Sequence, residues 1–176
     1  MKKVIFLVRH CKAAGQDPSA GLTPEGNLQA QELARFFESQ EVNRIISSPY
    51  TRAIQSIDPT VDKLGIRLEI DDRLAERVLS SGEMPDWMER LRASFHDLDL
   101  KFSGGESGLE ATKRAMEVLR DASDGTVLVT HGNLLGLILK RINESYGYEE
   151  WVKLSNPDVY KVEIEEETHQ VMRIWE

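Results

Sequence analysis

An α/β domain with a mostly parallel central sheet flanked by helices on both faces is the fold class the sequence predicts, and three features carry that prediction. The first is Val4-Ile5-Phe6-Leu7-Val8, an unbroken apolar run that reads as a short strand buried on both faces, the kind found in parallel sheets. The second is a similar run late in the chain, Val127-Leu128-Val129. The third is the set of side chains that follow such runs: Arg9-His10 after the first, His131-Gly132-Asn133 after the last, and Arg52 in the first turn of a helix after the shorter stretch Ile45-Ile46. Ligands of open α/β sheets bind outside the carboxyl ends of the strands, so these groups face a crevice and not the core. Taken alone, Arg9-His10 reads more readily as a surface arginine beside a satisfied histidine. The same arrangement at His131, in a chain with only 4 histidines, favours a site.

The remaining elements follow in order. Residues 11–21 form a polar, glycine-containing loop. Thr23-Pro24-Glu25 opens a helix, with a threonine N-cap, a proline where its missing N–H does no harm, and an acid at the positive end of the dipole. Ala30, Leu33, Ala34 and Phe37 give that helix a buried face. A second helix starts near Tyr50 and should kink or end at Pro59, because an interior proline removes a hydrogen bond and clashes with the preceding turn. A strand is expected near 67–70. Residues 84–98 carry Trp87, Met88, Leu91 and Phe95 at helical spacing, consistent with a helix covering the site. Gly104-Gly105-Glu106-Ser107 reads as a turn opening another helix, with Ser107 or its neighbour as cap and Leu109, Thr112, Met116 and Leu119 inside. Residues 133–142 are apolar almost all round, which means deep burial. Residues 160–164 and 171–175 read as two closing strands, an edge hairpin with one face exposed. His96 and His169 read as surface or structural residues.

Composition bounds the partners. A chain of 176 residues fits one domain, residues 1–176, with a sizeable core. The net charge of -8 argues against nucleic acid or an anionic membrane surface, since both select clustered Lys and Arg. An anion would have to be drawn in by a local pocket. One cysteine excludes an internal disulfide framework and suits a reducing compartment. The N-terminal apolar run is too short for a signal peptide or a spanning helix. The expectation is a soluble cytoplasmic protein, with no metal-ligand cluster of the His-Glu-x-x-His kind and no cofactor. Oligomeric state is not legible.

Six short stretches stand in order along the chain: Arg9-His10, Leu22-Thr23-Pro24-Glu25-Gly26, Ser47-Ser48-Pro49 with Thr51-Arg52-Ala53, Arg73-Leu74-Ala75-Glu76, Gly104-Gly105-Glu106-Ser107, and Thr130-His131-Gly132-Asn133. In these the sequence resembles the histidine phosphatase superfamily, the phosphoglycerate mutase-like proteins, and within it the phosphatase branch. The resemblance implies a phosphoglycerate mutase-like three-layer sandwich. It also implies a metal-independent phosphomonoester hydrolase acting on a small phosphorylated metabolite through a phosphohistidine on His10.

The residue types suit that chemistry. A phosphate dianion needs positive charge that cannot be lost, and Arg9 and Arg52 supply forked donors matched to its oxygens. Neutral His10 can attack phosphorus through one ring nitrogen while the other carries the proton. His131 can donate to the equatorial oxygens as charge spreads over them. The N–H groups of Gly132 and Asn133 at a helix start add an anion site. The resemblance makes Glu76 the proton donor to the leaving alkoxide and later the base on water; the residues alone allow it merely to pair with Arg73 or Arg77. Gln16 stands where many relatives carry a phosphate-touching asparagine, and its amide could donate similarly or simply face water.

Two departures stand out. Cys11 replaces the superfamily's usual glycine and is strained if the position needs positive φ. It also invites a thiol-nucleophile reading, but the residue six positions on is Asp17 and not the arginine that chemistry requires. A cofactor-dependent phosphoglycerate mutase is the alternative function, although Val78-Leu79-Ser80 follows Glu76-Arg77 where mutases carry a carboxylate clamp. A non-catalytic phosphate-binding module is the third possibility, and retention of all five central residues speaks against it.

Overall fold

The computed structural model describes residues 1–176. The chain runs β1 (Lys2–Arg9), α1 (Pro24–Phe37), β2 (Arg44–Ser47), α2 (Thr51–Leu64), β3 (Leu68–Ile70), a 3-10 turn (Asp72–Leu74), α3 (Trp87–His96), α4 (Gly108–Asp121), β4 (Thr126–Thr130), α5 (Gly132–Ile142), α6 (Tyr148–Val152), β5 (Asp158–Glu165) and β6 (Thr168–Arg173). One six-stranded sheet has the order β3-β2-β4-β1-β5-β6. The pairs β3·β2, β2·β4 and β4·β1 are parallel, and β5 and β6 close the sheet as antiparallel strands. The expected mostly parallel α/β architecture is the one observed.

Period-two alternation divides the apolar strands between two cores. Phe6, Val8, Ile45, Val127 and Val129 point to one face, where Ala30, Leu33 and Phe37 of α1 and Ala53 and Ile57 of α2 cover them. Ile5, Leu7, Ile46 and Leu128 point to the other, beneath α3, α4 and α5. Because both faces are covered, the strands are hydrophobic throughout, and only their ends are available for polar chemistry. The β1·β4 register sets Arg9 opposite Thr130, so the Arg9-His10 and Thr130-His131 pairs leave the sheet side by side.

Several local expectations are corrected. Helix α2 runs unbroken through Pro59. The carbonyl that Pro59 fails to satisfy belongs to Gln55, an exposed residue that water can reach, and burial of Ala53, Ser56, Ile57 and Thr60 offsets the roughly 3 kcal/mol helix penalty of proline. In α3, Leu91, Ser94 and Phe95 are buried, whereas Trp87 and Met88 lie open because no neighbouring element covers the first turn. In α4 the inner face is Ala111, Thr112, Ala115, Val118 and Leu119, and Leu109 is exposed; small side chains, not large ones, let α4 lie close on α5. The last strand ends at Arg173, and Trp175 beyond it stacks edge-on against Phe36 at 5.4 Å. Thr23 and Ser107 cap α1 and α4 as expected, accepting from Gly26 N–H and Glu110 N–H.

Candidate active site

Arg9 and His10 are where β1 runs out. The His10 N–H still donates to the Thr130 carbonyl at 3.1 Å, which fixes the backbone from which the imidazole projects. His10 Nδ1 lies 2.7 Å from the Cys11 carbonyl oxygen. A carbonyl can only accept, so Nδ1 carries the proton and Nε2 holds the lone pair. Arg52 Nε donates to that lone pair at 3.3 Å. Burial drives the His10 pKa down to about 4; the Cys11 carbonyl opposes this, and Arg52 and Arg9 push the same way as burial. The ring is therefore neutral and oriented at neutral pH, with its lone pair on Nε2.

Arg9 sends Nη1 to the carbonyls of Leu154 and Ser155 at 3.1 and 3.4 Å, while its buried Nε has no partner. Its guanidinium lies against Gly132: a Cβ there would come within 2.8 Å of Nη2, so residue 132 must lack a side chain for Arg9 to take this position. Arg52, 2% exposed in the first turn of α2, sends Nη1 to the carbonyls of Gln16 and Asp17 at 3.3 and 3.0 Å, and its guanidinium carbon lies 5.0 Å from the centre of the Tyr50 ring.

His131 is fully buried at the end of β4, with its ring centre 5.1 Å from that of His10 and 4.8 Å from that of Tyr50. Its Nε2 is 2.8 Å from Ser48 Oγ, and its buried Nδ1 has no partner. Burial, then the nearby His10, Arg52 and Arg9, lower its pKa to about 2.

Glu76 follows the 3-10 turn, which Thr130 Oγ1 ties to the sheet by donating to the Leu74 carbonyl at 2.7 Å. Its Oε1 accepts the N–H groups of Arg77 (2.8 Å) and Leu134 (2.9 Å), and Oε2 accepts that of Asn133 (3.1 Å). The carboxylate thus caps the N-terminus of α5. This corrects the expectation for Asn133: its backbone N–H belongs to Glu76 and is not free for an anion. It also removes the simple pairing of Glu76 with arginine side chains, since Arg73 bonds Asp71 and the Arg77 guanidinium bonds Ser94 Oγ and the Glu106 carbonyl. Burial raises the pKa of Glu76, against the pull of the three N–H groups and Arg9.

Gln16 takes the second of its two expected readings, facing water. Its side chain is exposed, and it is the carbonyl that contributes, by holding Arg52. Cys11 is fully buried, its thiol pushed up to about 11 by burial, so it is not a thiolate. Glu166 is the only non-glycine residue at positive φ, so Cys11 carries no left-handed strain. His96 is exposed and His169 lies on the edge strand, both away from the cluster.

Sequence reasoning missed three supports. Arg114 makes a two-pronged ion pair with Glu106 at 2.8 and 2.9 Å and sends Nη1 to the carbonyls of Arg73 and Ala75, fixing the segment that carries Glu76. Buried Asp158 accepts from Ser155 N–H and from Arg173 Nε, holding the loop whose carbonyls grip Arg9. Asn156 donates its amide to the His10 carbonyl at 3.0 Å. Glu106 alone had a signal, in the Gly-Gly-Glu-Ser stretch.

An open α/β domain that gathers two neutral imidazoles and a guanidinium at adjacent strand ends and a second guanidinium from the first turn of α2, with a buried carboxylate beside them, is of the class suited to hold a phosphate group. The chain belongs to the histidine phosphatase superfamily (branch 1), whose pattern matches residues 5–176. A protein of Hydrogenobacter thermophilus named "Putative phosphoserine phosphatase 2" is 30% identical over 157 residues, covering 78% of this chain and 77% of its own. A Shigella dysenteriae protein named "Probable phosphoglycerate mutase GpmB" is 26% identical over 189 residues, covering 92% and 85%. The solved structure of a mycobacterial glucosyl-3-phosphoglycerate phosphatase superposes with a TM-score of 0.75 at 19% identity, covering 99% of each chain, and shares the fold. No helix is long and apolar enough to cross a membrane.

Proposed function

We propose that residues 1–176 form a single catalytic domain, a phosphomonoester hydrolase that works through a phosphohistidine on His10. The observation that carries the reading is the engagement of His10: Nδ1–H is spent on the Cys11 carbonyl, leaving the Nε2 lone pair inside a cluster of cationic donors. Arg9 and Arg52 receive the phosphate dianion, with His131 completing the set. His10 Nε2 attacks phosphorus as the P–O bond to the alcohol breaks, and Glu76 gives the departing oxygen its proton. Oε2, which accepts one N–H where Oε1 accepts two, has the lone pair that carries that proton. Water then attacks phosphorus, Glu76 takes its proton, and the N–P bond breaks.

The substrate is a small phosphorylated metabolite; the relatives' names point to phosphoserine and phosphoglycerate derivatives as the first compounds to test. A mutase needs a cation free to clamp the product's carboxylate. Arg77, the basic residue next to Glu76, is 4% exposed and bonded to Ser94 and Glu106, which argues for the hydrolase. The single buried cysteine and the acidic composition suit the cytoplasm and disfavour nucleic acid as a partner.

Rapid quenching during turnover of an aryl phosphate should trap acid-labile, base-stable phosphate on His10. Incubation with 3-phosphoglycerate, if it is turned over, should release phosphate with no need for a bisphosphate primer. Interconversion of 2- and 3-phosphoglycerate ahead of phosphate release, stimulated by bisphosphate, would replace the hydrolase by the mutase.

A further inference from the structure

Ser48, immediately after β2, has no role in the chemistry described so far, yet it is fully buried and touches the site. Its hydroxyl oxygen has two polar neighbours: the Tyr50 backbone nitrogen at 3.2 Å and His131 Nε2 at 2.8 Å. The Tyr50 N–H can only donate and therefore takes one oxygen lone pair. The hydroxyl hydrogen is left with one acceptor within reach, Nε2 of His131.

Counting unmatched groups decides between the two forms of the neutral ring. With the proton on Nε2, His131 donates to Ser48, so the serine hydrogen has no acceptor and the buried Nδ1 lone pair has no donor. With the proton on Nδ1, Ser48 donates into Nε2 and a single group is unmatched, the Nδ1–H itself. Buried polar groups without partners are costly, so the second arrangement is preferred. The atom it leaves over is the one that has no partner here, on a ring beside His10. An N–H donor left unmatched next to the nucleophile is a seat for an oxygen of the group under attack.

We propose that Ser48 is a positioning residue that locks His131 as the Nδ1–H tautomer, so that the imidazole donates from Nδ1 to the phosphoryl oxygens throughout transfer. The inference rests on the phosphatase reading and deepens it. Without the serine hydroxyl, Nε2 becomes the orphaned atom, the ring can take either tautomer, and the donor needed in the transition state is present only part of the time.

The test uses the full chain labelled with 15N in histidine. At pH 7 the wild type should show His131 with a protonated Nδ1 and an unprotonated Nε2, and Ser48→Ala should show averaging of the two nitrogen shifts or their exchange. In the same variant, kcat for an aryl phosphate should fall on the order of tenfold to a hundredfold with KM changed less than threefold. Ser48→Thr, which keeps the hydroxyl, should recover most of the loss. A wild-type spectrum with the proton on Nε2 overturns the proposal, as does a Ser48→Ala enzyme within twofold of wild type in kcat. The spectrum needs no turnover, so failure to hydrolyse any phosphomonoester would sink the phosphatase reading and leave the tautomer decided separately; should the alanine variant not fold, the wild-type spectrum alone decides.

Discussion

The ends of β1 and β4 each deliver a buried imidazole, and the two differ in which nitrogen the protein engages. At the end of β1, a backbone carbonyl takes the Nδ1–H of His10 and leaves a lone pair. At the end of β4, a side-chain hydroxyl engages Nε2 of His131 and leaves Nδ1 open. Two rings whose centres lie 5.1 Å apart, both held neutral by burial, are thus engaged at opposite nitrogens. Strand ends of the same kind supply the groups; the hydrogen bond on the far side of each ring decides what the near side can do.

The comparison is broken most severely by removing each ring in turn. His10→Ala should lower turnover of any phosphomonoester by about four powers of ten or more, because no other group supplies the nucleophile. His131→Ala should cost about a hundredfold to a thousandfold, the size of losing one preorganised donor to a developing charge. Steady-state kinetics checks both, and equal losses at the two positions would mean that the division of labour is wrong.

Glu76 belongs to neither strand end and should show it through the leaving group. Glu76→Gln should slow alkyl phosphates on the order of a hundredfold and an activated aryl phosphate only a few-fold, since the amide cannot supply the proton that only a basic alkoxide needs. The variant also weakens the cap on α5, at a cost of about 1 kcal/mol measurable by urea unfolding. Equal kinetic losses on both substrates would confine Glu76 to capping.

Much of this is legible because buried strands write themselves as apolar runs, and the first polar residues after them must lie at the carboxyl ends of the strands. Arg9, His10, Arg52 and His131 were found on that logic. The resemblance supplied Glu76, whose position depends on Arg114, Glu106 and Thr130, contacts between residues distant in sequence that leave no local pattern. The Leu154–Asp158 loop was invisible because it works through carbonyls, which every residue has. Size is a poor guide to helix faces: Trp87 and Leu109 are large and exposed, and Ala111 and Ala115 are small and inside.

Neutrality of both rings can be sharpened through pH. His10 and His131 have folded pKa values of about 4 and about 2, against 6.5 in an unfolded chain. Between those values the unfolded chain binds more protons, so stability is complete above pH 6.5 and falls as pH drops, by up to about 1.4 kcal/mol per pH unit for each ring. Between pH 6.5 and 5 the histidines act almost alone, because the lowered carboxyl groups of Asp71, Glu106 and Glu163 titrate further down, while the raised Glu76 opposes the trend. Urea unfolding at pH 7 and pH 5 should show the loss, and His10→Gln should reduce it by about half. A stability that is flat over this range in Glu76→Gln, where the opposing carboxyl is gone, would mean that the rings accept protons when folded.

The smallest effect on activity is expected at Cys11, which sits next to His10 in a position that invites a thiol mechanism. What His10 uses is the Cys11 carbonyl, an atom that any residue supplies, and the Cys11 N–H is held by Ser56 Oγ at 2.8 Å. The thiol itself lies in the apolar core beside α1 and α2, with a pKa raised to about 11. Cys11→Ser should therefore leave kcat within about threefold, while burying a hydroxyl in place of sulfur should lower stability by about 1–3 kcal/mol. Thiol alkylation of the folded wild type should be slow and should track unfolding, not turnover. A loss of several powers of ten, with rapid inactivation by the alkylator, would move the nucleophile from the imidazole to the sulfur. The tautomer of His10 would then be that of a base beside a thiol, and the difference between the two strand ends would need a different explanation.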